Sequence, residues 1–236
     1  MKRASIPNSL LKQLRSVDTP TVCNAIEVVQ GRRGFNCFTR GTMIHNTPGT
    51  PAMVGRARTA RIAGLAPPQE DGQTIRDRRL DYFRAMARGP GPTVAVIEDV
   101  DYPNCIAGWW GEVHVAVHKG LGMKGAVTNG VMRDLDVMDE GFSVLAGSLG
   151  PSHGFVHVRE IGTPVSVMGM QVAEDDLVHA DRHGALVIPE DVVPELEGAI
   201  GTVIANEAII LGPAREPDFT IEKLEEAWAE FEAKRT

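Results

Sequence analysis

The residue types best suited to chemistry are concentrated in residues 128–141, TNGVMRDLDVMDEG. Within this segment Arg133 and Asp134 are adjacent, shortly after the turn-forming pair Asn129-Gly130. A guanidinium beside a carboxylate can be a surface ion pair that contributes little to stability. The two side chains can also take separate roles in a reaction. An arginine can bind a substrate carboxylate through two hydrogen bonds, and an aspartate can hold a hard divalent cation. The spacing alone leaves both interpretations open.

A second candidate element is the predicted helix that begins in AGWWGEVHV. Glu112, in its first turn, precedes Arg133 by 21 positions. The first N–H groups of a helix have no partner within it, so a helix start is a ready site for an anion, and its dipole stabilises an acidic side chain there. The helix start, a carboxylate and the Arg-Asp pair could therefore converge on one small acid.

Two histidine pairs are weaker candidates. His114 and His118 lie four positions apart on the same predicted helix, so one helix face could offer two metal ligands. No acidic residue of the zinc-protease type stands between them, and partly exposed helix histidines are the favoured interpretation. His153 and His157 are expected on one face of a strand. The sequence has no phosphate-binding loop, no GxGxxG between a strand and a helix, and no GxSxG elbow.

The composition limits the class of protein. With 236 residues, 43% hydrophobic and 23% charged, the chain can bury a core, and a mostly disordered protein is excluded. A net charge of −7 argues against a broad nucleic-acid surface. No apolar run is long enough to cross a bilayer, and no secretory signal is recognisable. Cys23, Cys37 and Cys105 lack metal-binding spacing and are expected to be reduced thiols. We therefore expect a cytoplasmic protein that binds neither nucleic acid nor membrane.

The first part of the chain supplies helices and one long strand. Two helices come first, the second running from an N-cap at Thr19 to a stop at Gly31. An alternating strand follows at 52–64. One face of that strand is expected to hold Val54, Ala57 and Thr59.

Residues 67–92 divide into a polar loop, a helix and a GPGP breaker. The helix TIRDRRLDYFRAMAR has Leu80, Phe83 and Met86 or Ala87 at helical spacing. Its arginines could bind RNA or an acidic partner, although a solvated helix face is the more common use of such a run. These arginines are Arg76, Arg78, Arg79, Arg84 and Arg88.

The central part is rich in strands. TVAVIEDV, GAVTN and FSVLAG are predicted strands, with EVHVAVHKG as a short helix between the first two. Short strands follow, and two helices close the sequence at about 194–211 and 219–233. The prediction is an α/β fold, one domain with a β-rich core and terminal helices. Arg133 and Asp134 would lie at the carboxyl edge of a strand, where α/β sheets tend to bind ligands.

The segments that carry the candidate residues resemble a known family. WGEVHVAVHKGLGMKGAVTNGVMRD, with GFSVLA and VAEDDLVHADRHGALVIPED after it, is similar to the RraA-like family, which includes 4-hydroxy-4-methyl-2-oxoglutarate aldolases and ribonuclease E inhibitor-like proteins. TPTVCNAIE and MVGRARTARI extend the similarity over most of the chain. The most specific parts are the G-[DE] helix start, the N/D-G-x-x-R-D block, and the spacing of Asp181, Gly184 and Pro189.

The resemblance implies one α-β-β-α swivelling-type domain over residues 1–236, with an insertion at 66–92 and a C-terminal helical extension at 213–236. It also implies a homotrimer or homohexamer with active sites between subunits. The activity it implies is a divalent-metal-dependent aldolase that uses Mg²⁺ or Mn²⁺. Such an enzyme cleaves 4-hydroxy-2-oxo acids to pyruvate and an oxo acid, and it decarboxylates oxaloacetate as a side activity.

Carried onto this sequence, the resemblance makes Asp134 the metal ligand, with water filling other positions. Arg133 would bind the substrate carboxylate or carbonyl oxygen, and Glu112 would hydrogen-bond metal-bound water. Glu207 would come from the neighbouring subunit. Backbone groups at the helix start would hold the carboxylate, and the residues concerned are Gly111, Glu112, Val113 and His114.

Two other functions stay open. The same fold could serve as a non-catalytic regulator that binds an RNA-degradation enzyme, or as a related lyase or hydratase acting on another 2-oxo acid. One position departs from the family pattern, because Val137 stands where an acidic residue is common. Of the nearby acids, Asp136 and Asp139 are expected to be solvated or to support the site, and Glu140 to be structural.

Overall fold

The computed structural model describes residues 6–234, and they form a mixed α/β fold with a central sheet and helices towards both ends. The predicted fold class is therefore confirmed. The chain divides into two compact units. The first comprises the residues up to Thr19 together with Asn36–Glu190, and the second comprises Pro20–Phe35 and the residues from Asp191 onward.

The helices match the predicted ones to within a few residues. They are α1 (Asn8–Leu14), α2 (Thr19–Gln30), α3 (Gly72–Met86), α4 (Glu112–Gly120), α5 (Val193–Ala214) and α6 (Ile221–Lys234). A short 3₁₀ turn also occurs at Leu135–Val137.

The strands of the described residues, all in the first unit, are short apart from the second. They are β1 (Ile44–His45), β2 (Met53–Ala63), β3 (Thr93–Asp99), β4 (Gly108–Trp110), β5 (Gly125–Thr128), β6 (Val131–Met132), β7 (Ser143–Ala146), β8 (Ser148–Leu149), β9 (His157–Ile161), β10 (Val165–Val167), β11 (Met170–Val172), β12 (Leu177–Asp181) and β13 (Gly184–Ile188).

The main sheet has the strand order β1-β7-β5-β3-β2-β12-β13, and β9 also pairs with β2. Its centre, β2, β3, β5 and β7, is parallel. These strands are buried on both faces, which is typical of parallel sheets. In β2, Ala57 belongs to one core cluster, whereas Ala60 and Ile62 belong to another. Since side chains alternate along a strand, Val54 lies on the opposite face from Ala57 and Thr59, and the predicted single face is wrong.

A second, three-stranded parallel sheet is formed by β4, β6 and β8. Each of its strands follows one strand of the parallel centre: β4 follows β3, β6 follows β5, and β8 follows β7. The segment DYPNCIAGWWG, between β3 and α4, therefore contains the strand β4. The carboxyl ends of β4, β6 and β8 lie side by side because the strands are parallel neighbours.

The chain bends at the Asn129-Gly130 pair, and neither residue has a positive φ. Asn129 is buried, and its side chain pairs with the backbone at the end of β3. Its amide oxygen accepts from the N–H of Asp99 at 2.7 Å, and its amide nitrogen donates to the carbonyl of Asp99 at 3.1 Å. Asn129 thus joins the ends of two neighbouring parallel strands before the chain enters β6.

Asp71 is the N-cap of helix α3, and its side chain accepts from the N–H groups of Gln73 and Thr74. The prediction that Leu80 faces the core is wrong, since it is 52% exposed. Met86 is buried and Phe83 packs against the core, as their helical spacing predicted, and the helix also buries Tyr82 and Ala85.

The second unit consists of helices and their connections. As predicted, α2 buries Val22, Ala25 and Ile26, and Gly31 has a positive φ of 61° where the helix ends. Helices α5 and α6 pack against each other, and Glu207 lies on α5. None of the helices between residues 6 and 234 is long and apolar enough to cross a membrane.

Candidate active site

The residues predicted from two separate segments lie together at the carboxyl ends of β4 and β6. Gly111 and Glu112 follow β4, and Arg133 and Asp134 follow β6. The N–H of Arg133 donates to the carbonyl of Trp110 at 2.9 Å, which continues the pairing of the two strands. The three-stranded sheet therefore brings the start of α4 beside the Arg-Asp pair, as the sequence predicted.

Asp134 lies at the N-terminus of α4. Its Oδ2 accepts from the N–H of Glu112 at 3.3 Å, and its Oδ1 accepts from Nη1 of Arg133 at 3.4 Å. Both hydrogen bonds are long for charged groups, so the carboxylate keeps lone pairs for another partner. The side chains are partly exposed, 29% for Asp134 and 34% for Arg133.

The backbone of Asp134 is in the left-handed region, with φ 60° and ψ 36°. This conformation costs most residues about 1 to 2 kcal/mol, although aspartate tolerates it better than most. Strained backbone persists where the surrounding structure enforces it, and such positions cluster at functional sites. The conformation of Asp134 therefore marks this corner as a candidate site independently of its charge.

Two glycines make room for the Arg-Asp pair. A Cβ at Gly111 would lie 2.4 Å from Oδ2 of Asp134, and a Cβ at Gly108 would lie 3.0 Å from Cδ of Arg133. Neither position has an unusual φ, so the requirement for glycine comes from close approach. The sequence pattern indicated Gly111 through the helix start but gave no signal for Gly108.

A cavity of about 490 Å³ opens beside these residues. Arg133 and His114 line it, and the Nε of Arg133 is buried with no hydrogen-bond partner among residues 6–234. A buried N–H without a partner is costly unless a ligand or water accepts from it. Arg133 thus lines the cavity and carries a buried donor from which no described residue accepts.

The two helix histidines differ in environment. His118 is fully buried, so the expectation of partial exposure is wrong for it. Its Nδ1–H donates to the carbonyl of His114 at 2.5 Å, and its Nε2 accepts from the hydroxyl of Tyr82 at 2.7 Å. Burial lowers its pKa to about 4. Both ring nitrogens have partners, and His118 is a core residue rather than a metal ligand.

His114 faces the cavity and is uncharged at neutral pH. Burial lowers its pKa to about 3, and the nearby charges of His118, Arg79 and Arg133 act in the same direction. His153 lies in a loop before β9, so the expected strand face shared with His157 is wrong. Both nevertheless line the same cavity.

The remaining acids have separate environments. The side chain of Glu112 is exposed at the helix start. Asp136 is exposed, whereas Asp139 pairs with Lys119 at 3.4 Å, and Lys119 also donates to the carbonyl of Glu140 at 2.6 Å. Val137 is 58% exposed at the end of the 3₁₀ turn. The predicted role of Glu207 stays a prediction.

The donor set suits a hard cation held mainly by water. No group of three or more histidine, cysteine, aspartate or glutamate side chains with metal-binding geometry occurs within residues 6–234. Asp134 instead offers one partly exposed carboxylate with spare lone pairs. Mg²⁺ is commonly bound through one or two carboxylates while it keeps several waters, so the residues present fit Mg²⁺ or Mn²⁺ better than zinc.

The three cysteines do not form a reactive centre. All are free thiols. Burial raises the pKa of Cys23 and of Cys37. Burial and then the charge of Asp99 raise the pKa of Cys105 to about 12. A thiol that stays protonated is a poor nucleophile.

A family model described as RraA-like (Aldolase/RraA) matches residues 19–187, a range that holds the whole candidate site in the first unit. The chain belongs to the RraA-like family. The resemblance read from the sequence is thus confirmed, and the family description names aldolases beside RraA.

Individual relatives are distant. Protein DlpA of Legionella pneumophila is 25% identical over 199 residues, which cover 81% of this chain but 29% of DlpA, so the chain spans under a third of that relative. An uncharacterized protein from Pseudomonas syringae pv. tomato is similar in structure, with 21% identity, a TM-score of 0.69, and coverage of 98% of this chain and 97% of that one. RraAS2 of Streptomyces coelicolor, described as an unusual member of the RNase ES inhibitor RraA protein family, has 22% identity, a TM-score of 0.66, and coverage of 92% and 100%. At these identities the two structures show the shared RraA-like fold.

Proposed function

We propose that this chain is a divalent-metal-dependent lyase that cleaves 4-hydroxy-2-oxo acids to pyruvate and a second oxo acid, with oxaloacetate decarboxylation as a side activity. One observation carries the proposal. Arg133 and the first turn of α4 line a cavity, and Asp134 lies against that turn, where a Cβ on Gly111 would lie 2.4 Å from its Oδ2.

The substrate carboxylate would bind at the start of α4. The N–H groups of Val113 and His114 belong to the first turn and have no acceptor within the helix, and the helix dipole favours an anion there. Arg133 would donate from its unpartnered Nε towards the 2-oxo group, where negative charge develops in the transition state. Oriented donors of this kind lower the barrier because they need no rearrangement during the reaction.

Asp134 would hold Mg²⁺ or Mn²⁺, with water as the other ligands. When bound, the cation supplies Lewis-acid stabilisation of the charge on the 2-oxo oxygen. The C3–C4 bond breaks with its electron pair moving to C3 and the 2-oxo oxygen, while the C4 hydroxyl loses its proton and becomes a carbonyl. Glu112, whose carboxylate is exposed in the first turn of α4, would take that proton through water, and return of a proton to C3 gives pyruvate.

The proposed assembly is a homotrimer or homohexamer, in which Glu207 of a neighbouring subunit completes the site. The mass in solution, measured by light scattering, tests this part separately. A monomer with full activity would remove Glu207 from the proposed site without affecting Arg133 or Asp134.

Pyruvate release tests the activity directly. Oxaloacetate and 4-hydroxy-4-methyl-2-oxoglutarate are supplied with Mg²⁺ or with chelator, and pyruvate is followed through lactate dehydrogenase. We expect turnover that needs the cation, is lost in Asp134→Asn, and is retained in Asp136→Asn, an exposed aspartate two positions away. Asparagine tolerates the left-handed backbone of Asp134, so the variant changes charge rather than conformation.

Two results would contradict the lyase. One is turnover that is the same in Asp134→Asn as in the wild type. The other is no metal-dependent release of pyruvate from either acid, in which case a hydratase acting on another 2-oxo acid or a regulator of an RNA-degradation enzyme would be the function to test.

A further inference from the structure

Arg79 differs from the other arginines near it on α3. Arg76 donates to Gln73 at 2.9 Å, Arg78 to Glu70 at 2.9 Å, and Arg84 to Asp81 at 2.8 Å. Arg79 makes no hydrogen bond or ion pair with the described part of the chain. These three arginines of α3 thus have a polar partner within the chain, whereas Arg79 has a free guanidinium.

The free guanidinium of Arg79 lines the same cavity as Arg133. Its charge also acts on the imidazole of His114, as the charge of Arg133 does, so two cations lie near one neutral ring. Much of the remaining wall is apolar. The apolar side chains that face the cavity include Ile75, Trp109, Val113 and Phe155.

We propose that Arg79 is a specificity-determining residue that binds a second, distal carboxylate of the substrate, while the apolar wall contacts the carbon chain between the two acids. This inference rests on the proposed function, because it takes the 2-oxo end of the substrate to bind at Arg133 and assigns the binding of the other end to Arg79. It also gives a role to residues 66–92, the segment that the family resemblance leaves aside.

The expected size of the effect follows from the exposure of Arg79. The side chain is exposed, and exposed ion pairs contribute about 0.2 to 1 kcal/mol, which corresponds to at most roughly a fivefold change in affinity. Arg79 should therefore select between substrates without being needed for the chemistry. Removal of the Arg79 side chain should weaken the binding of dicarboxylic acids and leave the binding of monocarboxylic acids unchanged.

Two unreactive acids of equal chain length separate charge from size. 2-Oxoglutarate has a terminal carboxylate, 2-oxopentanoate has a terminal methyl group, and neither has the C4 hydroxyl needed for cleavage. Their dissociation constants are measured with Mg²⁺ by calorimetry on the full chain, for the wild type, Arg79→Gln and Arg76→Gln. Arg76 is the matched control because it is exposed on the same helix and donates to Gln73 rather than facing the cavity.

We expect the wild type and Arg76→Gln to prefer 2-oxoglutarate about fivefold, and Arg79→Gln to bind the two acids about equally. An unchanged preference in Arg79→Gln would overturn the role of Arg79 while leaving the proposed lyase intact. If neither acid binds the wild type and no pyruvate is released from the cleavable acids, both the role of Arg79 and the lyase proposal fail.

Discussion

Two arginines of the first unit, Arg58 on β2 and Arg133 after β6, have opposite surroundings. The side chain of Arg58 is 6% exposed. Its Nε and Nη2 each donate to the carbonyl of Arg88 at 3.1 Å, and its Nη1 donates to the carbonyl of Ala57 and to Glu174. Asp175 also pairs with it. Each guanidinium nitrogen of Arg58 is therefore used within the fold.

Arg133 has a single side-chain partner in the described residues, Asp134, at 3.4 Å. Its buried Nε has no partner, and its aliphatic chain packs where Gly108 and Gly111 lack side chains. Hydrogen bonds made within the fold stabilise it, whereas a donor left without a partner costs stability until a ligand accepts from it. The contrast predicts that Arg58 serves the fold and that Arg133 serves a bound acid.

The largest expected effect is on catalysis by Arg133→Ala. Loss of one oriented donor to a developing oxyanion lowers rates by about 10² to 10³, so kcat/KM for pyruvate release should fall by that factor. The midpoint of urea unfolding should stay close to that of the wild type. A large loss of stability with normal turnover would mean that Arg133 is structural after all.

Arg58→Ala should show the reverse pattern. Removing one partner of a buried ion pair costs about 3 kcal/mol, the lower end of the usual range because Glu174 and Asp175 remain partly exposed. Urea unfolding should reveal this loss, while kcat/KM of the folded fraction stays within about twofold. If Arg58→Ala reduced turnover as much as Arg133→Ala, the distinction between the two arginines would fail.

Glycine substitutions test whether close packing positions the Arg-Asp pair. In Gly111→Ala the new Cβ meets Oδ2 of Asp134 at 2.4 Å, so the carboxylate must move. A shift of about 1 Å at a reacting group can cost up to 10²-fold, and we expect kcat/KM to fall about thirtyfold. Gly120→Ala is the control at the other end of α4, because nothing lies within 4 Å of its Cβ. Equal kcat/KM values for the two variants would argue against this positioning.

The sequence predicted which elements form the site better than it predicted how their residues pack against one another. The helix start at Glu112 and the Arg133-Asp134 pair could be identified because each has a local pattern, and parallel strands explain why they meet. The need for Gly108 and the left-handed backbone of Asp134 could not be predicted, since both arise from contacts between distant segments.

The same limit explains the errors in the helices. Leu80 fitted the helical spacing of Phe83 and Met86 but is exposed, whereas Tyr82, outside that spacing, is buried, because the burial depends on the sheet beneath α3. His118 looked like a surface histidine because its partner, Tyr82, lies 36 positions away in the sequence. Patterns within one helix therefore predict its extent more reliably than the residues that it buries.

The smallest expected effect concerns His118. Both of its ring nitrogens have hydrogen-bond partners within the fold, as the guanidinium nitrogens of Arg58 do. Burial lowers its pKa from 6.5 to about 4. Its contribution to stability is therefore complete above pH 6.5 and is lost as the pH falls towards 4, because the unfolded chain binds a proton that the folded chain does not. Urea unfolding at pH 7.5 and 5.5 should show the decline, and the decline should be shallower in His118→Gln. An identical decline in that variant would assign the pH dependence to other groups.

The most direct test of the central claim is the binding of Mn²⁺ followed by electron paramagnetic resonance, with pyruvate present. The signal of free Mn²⁺ should decrease on addition of the wild-type protein and of Arg58→Ala. It should be unaffected by Asp134→Asn, since that variant lacks the proposed ligand. Binding of Mn²⁺ by Asp134→Asn with wild-type affinity would contradict the assignment of Asp134 as the metal ligand, and with it the proposed active site.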